Sequence, residues 1–157
     1  MPLDQRRVLQ VVAILGAVFA YATIVVGGTV RGMGAGLACP DWPLCNGSVV
    51  PDLADTGILV EYIHRLVAAL TGIFVSSTVV AAAVWFRSQM RIVTLSIMSL
   101  AILATQVAVG ALTITSENDW VVVTVHLALG TATLASALVV ALVSLWPAAK
   151  LRAEALA

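Results

Sequence analysis

Four long stretches without a single Asp, Glu, Lys or Arg decide what this chain can fold into: Val8–Val30, Leu66–Phe86, Ile92–Ser116 and Trp120–Trp146. Each reaches the roughly 20 residues needed to cross a hydrocarbon core about 30 Å thick. No water reaches backbone amides at that depth, so each stretch must satisfy its own hydrogen bonds as a helix. Only 10% of the residues are charged, against about 25% in a soluble domain. The expected fold is an all-α integral membrane protein. It is a single four-transmembrane-helix bundle over residues 1–157, with helices at about 8–30, 58–86, 92–116 and 120–146.

Arg6 and Arg7 ahead of an apolar run resemble the start of a secretory signal. A signal's apolar region is about 7–15 residues long and ends at a small-residue cleavage pattern. The run here is longer and lacks that pattern, so the first helix is expected to be retained. Orientation follows from the basic residues, which stay on the cytoplasmic side of short loops. Arg6, Arg7, Arg87, Arg91, Lys150 and Arg152 all fall at one end of the expected bundle. Arg31 and Arg65 fall at the other, with Asp41, Asp52, Asp55, Glu61, Glu117 and Asp119. Both termini are therefore expected to be cytoplasmic, in a cell membrane, with the long loop from Arg31 to Val60 outside. No basic patch suggests nucleic acid; the lipid bilayer is the partner the composition demands.

The chain reads as two helix hairpins, the first with a long outer loop and the second with a short one, Ser116 to Asp119. A glycine late in each outgoing helix (Gly28, Gly110) and a histidine early in each returning helix (His64, His126) suggest a parallel repeat about an axis along the membrane normal. Asn118 or Asp119 is expected to cap helix 4 and Pro147 to close it. Trp120 and Trp146 stand at its two ends, where interfacial aromatics collect. Glu61 is placed in the first turn of helix 2, where the positive helix end favours a carboxylate.

His64 and His126 are the only histidines. At about 1.5 Å per residue, each lies one to two turns below the outer start of its helix, so the two share a depth. A flat macrocycle between helices 2 and 4 would take one imidazole on each face of its iron, whereas zinc calls for about four ligands, usually with Cys or carboxylate among them. Ala68 and Gly72 below His64, and Gly130 and Thr133 below His126, leave room for such a ring. Small residues are also how membrane helices pack closely. Glu61, three residues before His64, projects from the same helix face. It is either an acid/base beside the iron or a solvated glutamate at a helix start. Arg31 and Arg65 suit heme propionates, or an ion pair with an outer acid such as Asp41 or Asp55. Cys39 and Cys45, an even pair at short spacing outside the cytoplasm, read as a disulfide. Its small ring limits entropic stabilisation to about 2–3 kcal/mol, so a redox role stands beside the structural one.

The run Thr29-Val30-Arg31-Gly32-Met33-Gly34-Ala35-Gly36-Leu37-Ala38-Cys39-Pro40-Asp41-Trp42-Pro43-Leu44-Cys45-Asn46-Gly47 resembles the heme A synthase family. So do Glu61-Tyr62-Ile63-His64-Arg65-Leu66, Gln106, Gly110-Ala111-Leu112-Thr113 and Val125-His126-Leu127-Ala128. The resemblance implies a membrane oxidoreductase that converts heme O to heme A by oxidising one ring methyl to a formyl group. By motif, His64 and His126 would be axial ligands of the substrate heme, Glu61 the catalytic carboxylate, and Cys39 with Cys45 the outer disulfide. Heme O synthase and an electron acceptor are the partners such a reaction implies. Typical members have eight helices in two halves, one holding the substrate heme and the other a heme b cofactor. This sequence matches one half and lacks a second histidine pair, which leaves heme b unassigned and suggests a homo-oligomer. The competing reading is a bis-histidine cytochrome that carries electrons without substrate chemistry. A membrane thiol oxidoreductase would need a second cysteine pair, and a purely structural subunit would be colourless.

Overall fold

The computed structural model describes residues 3–146, so Pro147, Lys150 and Arg152 lie outside the described residues. Four helices follow one another: α1 (Leu3–Gly32), α2 (Thr56–Trp85), α3 (Met90–Thr115) and α4 (Trp120–Leu145). All four are long and apolar enough to cross a membrane. No strand is present among the described residues. At about 1.5 Å per residue, the 30 residues of α1 and of α2 exceed the hydrocarbon thickness, so these two helices also reach into the headgroup layers.

The packing inverts that of a soluble protein. Large apolar side chains such as Val18, Val25, Ile73, Val80, Leu127 and Leu142 are exposed, while Ala13, Ala17, Ala20, Ala81, Ala82, Ala137 and Ala141 are buried. Lipid tails are as apolar as leucine, so helices associate through close backbone approach rather than by hiding large hydrophobes. The buried hydroxyls are paid for locally: Thr71, Thr78, Ser96 and Thr133 each donate to the carbonyl one turn earlier at 2.8–3.1 Å. Two hydroxyl pairs cross between helices, Thr23 with Thr71 and Ser99 with Ser136, both at 3.0 Å. Phe19 and Phe74 stack at 5.2 Å between ring centroids and tie α1 to α2.

Each helix packs on its two neighbours in the order α1, α2, α3, α4 and back to α1, which places α2 and α4 on one diagonal. The bundle has a two-fold internal register. On α1 and α3, residues 13, 16, 23 and 27 correspond to 96, 99, 106 and 110; on α2 and α4, residues 64, 71, 75 and 78 correspond to 126, 133, 137 and 140. Ala13, Gly16, Val75 and Thr78 thus meet Ser96, Ser99, Ala137 and Val140 around one small central void. The glycine of the first hairpin that matches Gly110 is Gly27, not Gly28. A Cβ on Gly28 would meet nothing within 4 Å, whereas one on Gly27 would strike His64.

At the end where α1 begins, Arg6 donates to the carbonyl of Trp146 at 2.6 Å and Gln10 to that of Ser144 at 3.1 Å. These donors satisfy carbonyls left open at the end of α4. At the other end, Asp55 caps α2 by accepting from Ile58 N, and Asp119 caps α4 by accepting from Val121 N and Val122 N. Helix α2 starts earlier than the uncharged run suggests, because Asp55 supplies the cap. Glu61 therefore sits in the second turn, and Asp55 takes the helix-start position expected of it. The turn between α3 and α4 uses positive φ at Glu117 and Asn118 (53° and 62°). The 33–55 segment folds onto this turn: a Cβ on Gly36 would stand 2.8 Å from Asn118 Nδ2.

Candidate functional site

His64 on α2 and His126 on α4 occupy equivalent positions of the two hairpins. Each ring packs against a glycine of the preceding helix. A Cβ on Gly27 would come 2.9 Å from His64 Cε1, and a Cβ on Gly110 would come 2.9 Å from His126 Cε1. The glycines exist here to make room for imidazole. The two rings are within electrostatic reach of each other. Among the described residues, the buried side-chain atoms without a hydrogen-bond partner are His64 Nδ1, His126 Nδ1 and Gln106 Oε1. All three belong to this one cluster. Backbone carbonyls of the preceding helix, Thr23 for His64 and Gln106 for His126, lie within reach of the rings, and buried polar atoms at membrane depth are satisfied in this way or by a bound group. Two imidazoles on diagonal helices, with no carboxylate or thiolate joining them, suit an iron macrocycle. No group of three or more His, Cys, Asp or Glu able to hold a bare metal ion exists among the described residues.

Gln106 was visible in the sequence only through the family pattern. Its Nε2 lies 3.5 Å from His126 Nε2, and it fills the space that Gly130 leaves, where a Cβ would come within 3.1 Å of that nitrogen. Thr133 is buried one turn deeper, and its counterpart is Thr71; a Cβ on Gly72 would meet nothing within 4 Å. On the first hairpin, Thr71 rather than Gly72 lines the interior.

The two halves of the site differ in charge. Beside His64, Glu61 is buried and its Oε1 accepts a hydrogen bond from Arg65 Nε at 3.0 Å. The corresponding residues near His126 are Val123 and Leu127. Glu61 is thus an enclosed, ion-paired carboxylate rather than a solvated one. Arg65 does not pair with the carboxylate of Asp41 or Asp55. It donates instead to main-chain carbonyls of the loop: Asp41 at 2.8 Å, Cys39 at 2.9 Å and Leu44. With four of five N–H donors committed, it is not held ready for a propionate. Arg31, at the end of α1, is exposed.

Cys39 and Cys45 are joined by a disulfide and are both buried. The Asp41 carboxylate braces the ring they close, accepting from Asn46 N at 2.6 Å and Gly47 N at 2.8 Å. These amide donors, Gly47 foremost, hold the Asp41 carboxyl below its ordinary value of 3.8, so it is ionised at neutral pH. Positive φ at Asn46 and Gly47 (51° and 72°) turns the chain back, and Cys45 and Ser48 exchange both backbone bonds.

A sequence model described as cytochrome oxidase assembly protein matches residues 10–58 and 55–156. The chain belongs to the heme A synthase family. It is 38% identical over 103 residues to the heme A synthase of Symbiobacterium thermophilum, covering 61% of this chain and 31% of that one. Similarity to the heme A synthase of Geobacillus thermodenitrificans is 34% identity over 110 residues, 69% of this chain and 34% of the relative. A protein named protoheme IX farnesyltransferase from Halobacterium salinarum is 37% identical over 143 residues, 89% of this chain and 30% of the relative. Across these and related matches the chain spans between 20% and 39% of the relatives' length. Its four membrane-capable helices and its family make it a multi-pass membrane protein.

The glycines offer a direct check on the imidazole positions. Gly27→Ala and Gly110→Ala each push a methyl into a histidine ring, and overpacking of this kind costs about 1–3 kcal/mol. Both should weaken heme retention and shift the heme spectrum in a titration of the purified protein. Gly28→Ala should leave both unchanged. Equal behaviour of all three variants would contradict the packing of the rings on Gly27 and Gly110.

Proposed function

We propose that this chain binds heme O between His64 and His126 and oxidises one ring methyl to a formyl group, giving heme A. The observation that carries the reading is the asymmetry of the site. Two imidazoles at equivalent positions would supply the axial nitrogens, and only one of them has a buried carboxylate one turn away, held by an arginine. A carrier of electrons needs the histidines alone. A reaction at one edge of the macrocycle needs a group that acts on that edge, and Glu61 is placed for it.

In this reading His64 and His126 would hold the iron, with the macrocycle between α2 and α4. Taking a methyl to a formyl removes four electrons and adds one oxygen atom, so the bound iron macrocycle would pass electrons to an external acceptor, with water or dioxygen as the oxygen source. Glu61 holds or takes up a proton at its carboxylate beside the reacting methyl, and the apolar walls of the bundle exclude bulk water. Gln106 stands beside His126 and orients that ring. The site end of the bundle faces outward, since Arg6, Arg7, Arg87 and Arg91 gather at the opposite end and basic residues favour the cytoplasmic side. A disulfide at the site end accords with an oxidising compartment. The farnesyltransferases among the relatives support a prenyl-transfer reaction as the source of the substrate, and its enzyme as a partner.

Membranes containing the protein, supplied with heme O, should accumulate a formyl heme that chromatography separates from the substrate. Heme O recovered unchanged, on a protein that still shows a reversible two-histidine spectrum, would overturn the enzyme reading in favour of the electron carrier.

A further inference from the structure

Arg65 joins two features that the proposed reaction treats separately, the disulfide loop and the Glu61 carboxylate. Its Nε holds Glu61 Oε1 at 3.0 Å. Its two terminal nitrogens point the opposite way, into carbonyls of Cys39, Asp41 and Leu44. All three carbonyls lie within the ring closed by the Cys39–Cys45 disulfide. They converge because the chain there is bent on itself. An extended strand of the same residues would point successive carbonyls to alternate sides and could not present three to one guanidinium. The Asp41 brace on Asn46 and Gly47 holds the same curvature. Arginine's planar fork suits this task, since its donors leave in fixed directions, whereas a lysine ammonium is a single point with rotatable donors.

We propose that Arg65 is a positioning residue that makes the orientation of the Glu61 carboxylate depend on the closed Cys39–Cys45 ring. Opening the ring releases the carbonyls, and the guanidinium then has no fixed anchor from which to hold Glu61. The disulfide acts at the site without touching it, and the path runs through one side chain. This extends the reading of Glu61 as the catalytic carboxylate and rests on it for its consequence on turnover. The geometric link itself does not depend on what reaction occurs.

Two measurements test the link separately from the chemistry. In the first, the purified full chain is followed by infrared spectroscopy while a phosphine reduces the disulfide, and the Glu61 carboxyl band is assigned by its loss in Glu61→Gln. Reduction should shift that band in the wild type. In Arg65→Lys the band should already be displaced, and reduction should move it little further. A wild-type band indifferent to reduction, or one that responds equally in Arg65→Lys, overturns the proposal. In the second, heme A formation is compared in Arg65→Lys, in Cys39→Ser/Cys45→Ser and in the combination. Each should lose about tenfold or more in turnover with heme retention within twofold of wild type. The combination should lose no more than the worse of the two, since residues acting through one contact are not additive. Losses that multiply, or a loss of heme retention in Arg65→Lys in place of turnover, overturn it as well. If the wild type makes no heme A, the proposed reaction fails while the infrared comparison still decides the link.

Discussion

Replacing either His64 or His126 by alanine is expected to weaken heme retention by at least about 100-fold, the upper end of what losing an outer-shell partner of a metal ligand costs. The heme-free protein should be affected far less. The bundle is held by contacts away from the rings, among them the Ser99–Ser136 hydroxyl pair and the Phe19–Phe74 stack. The alanine variants should therefore insert into membranes and keep their helical content while heme binding collapses. The gap left against Gly27 or Gly110 matches an imidazole in shape, so free imidazole in the medium should restore part of the heme spectrum. Equal heme spectra in the wild type and both single variants would reject the ligand assignment. Loss of helical content in both would show that the histidines serve the bundle instead. The two-fold register predicts similar magnitudes for the two variants, since both rings meet the preceding helix in the same way.

That register also shows where sequence reasoning reaches its limit. The four helices were legible because lipid imposes a single solution on long uncharged segments, and the apolar runs have no alternative. The histidines could be placed at one depth by counting residues from helix starts. Their packing partners could not, because Gly27 and Gly28 are neighbours in sequence and differ only in helix phase. A single glycine step rotates the Cα about the helix by a little over a quarter of a turn, and this separates contact with His64 from open space. The start of α2 was placed too late because Asp55 caps the helix across polar residues that carry no apolar signal. Placing Glu61 in the first turn followed from that error, and its reading as a solvated carboxylate rested on the same placement. Arg65 was the hardest case. Its ionic partner is a neighbour on its own helix, as the four-residue spacing allows. Its other partners are main-chain carbonyls of Cys39, Asp41 and Leu44. Carbonyls leave no residue-type signature, so composition offered only heme propionates or an outer acid such as Asp41 or Asp55 as partners.

The second large effect concerns Glu61. It lies one turn toward the loop end from His64 on the same face of α2, is buried, and is fixed by Arg65. Glutamine in its place has nearly the same size and still accepts from Arg65 Nε through its amide oxygen. The three loop carbonyls continue to hold the guanidinium. The ion pair is lost without stranding the arginine, so the cost to folding should fall well below the roughly 3–5 kcal/mol of breaking a buried pair by deleting one partner. No axial ligand is removed, and Glu61→Gln should bind heme O with its spectrum nearly intact. Conversion should fall by at least about 100-fold, the lower bound for a positioned acid or base. Heme extracted from the variant should contain heme O, or an alcohol stalled short of the formyl product, in place of heme A. Undiminished heme A formation would remove Glu61 from the catalytic role. A variant that loses heme and activity together would recast the carboxylate as part of the binding site. A shift in heme potential alone, with no bond chemistry to lose, is the result an electron carrier would give, because a charge beside the macrocycle tunes its potential.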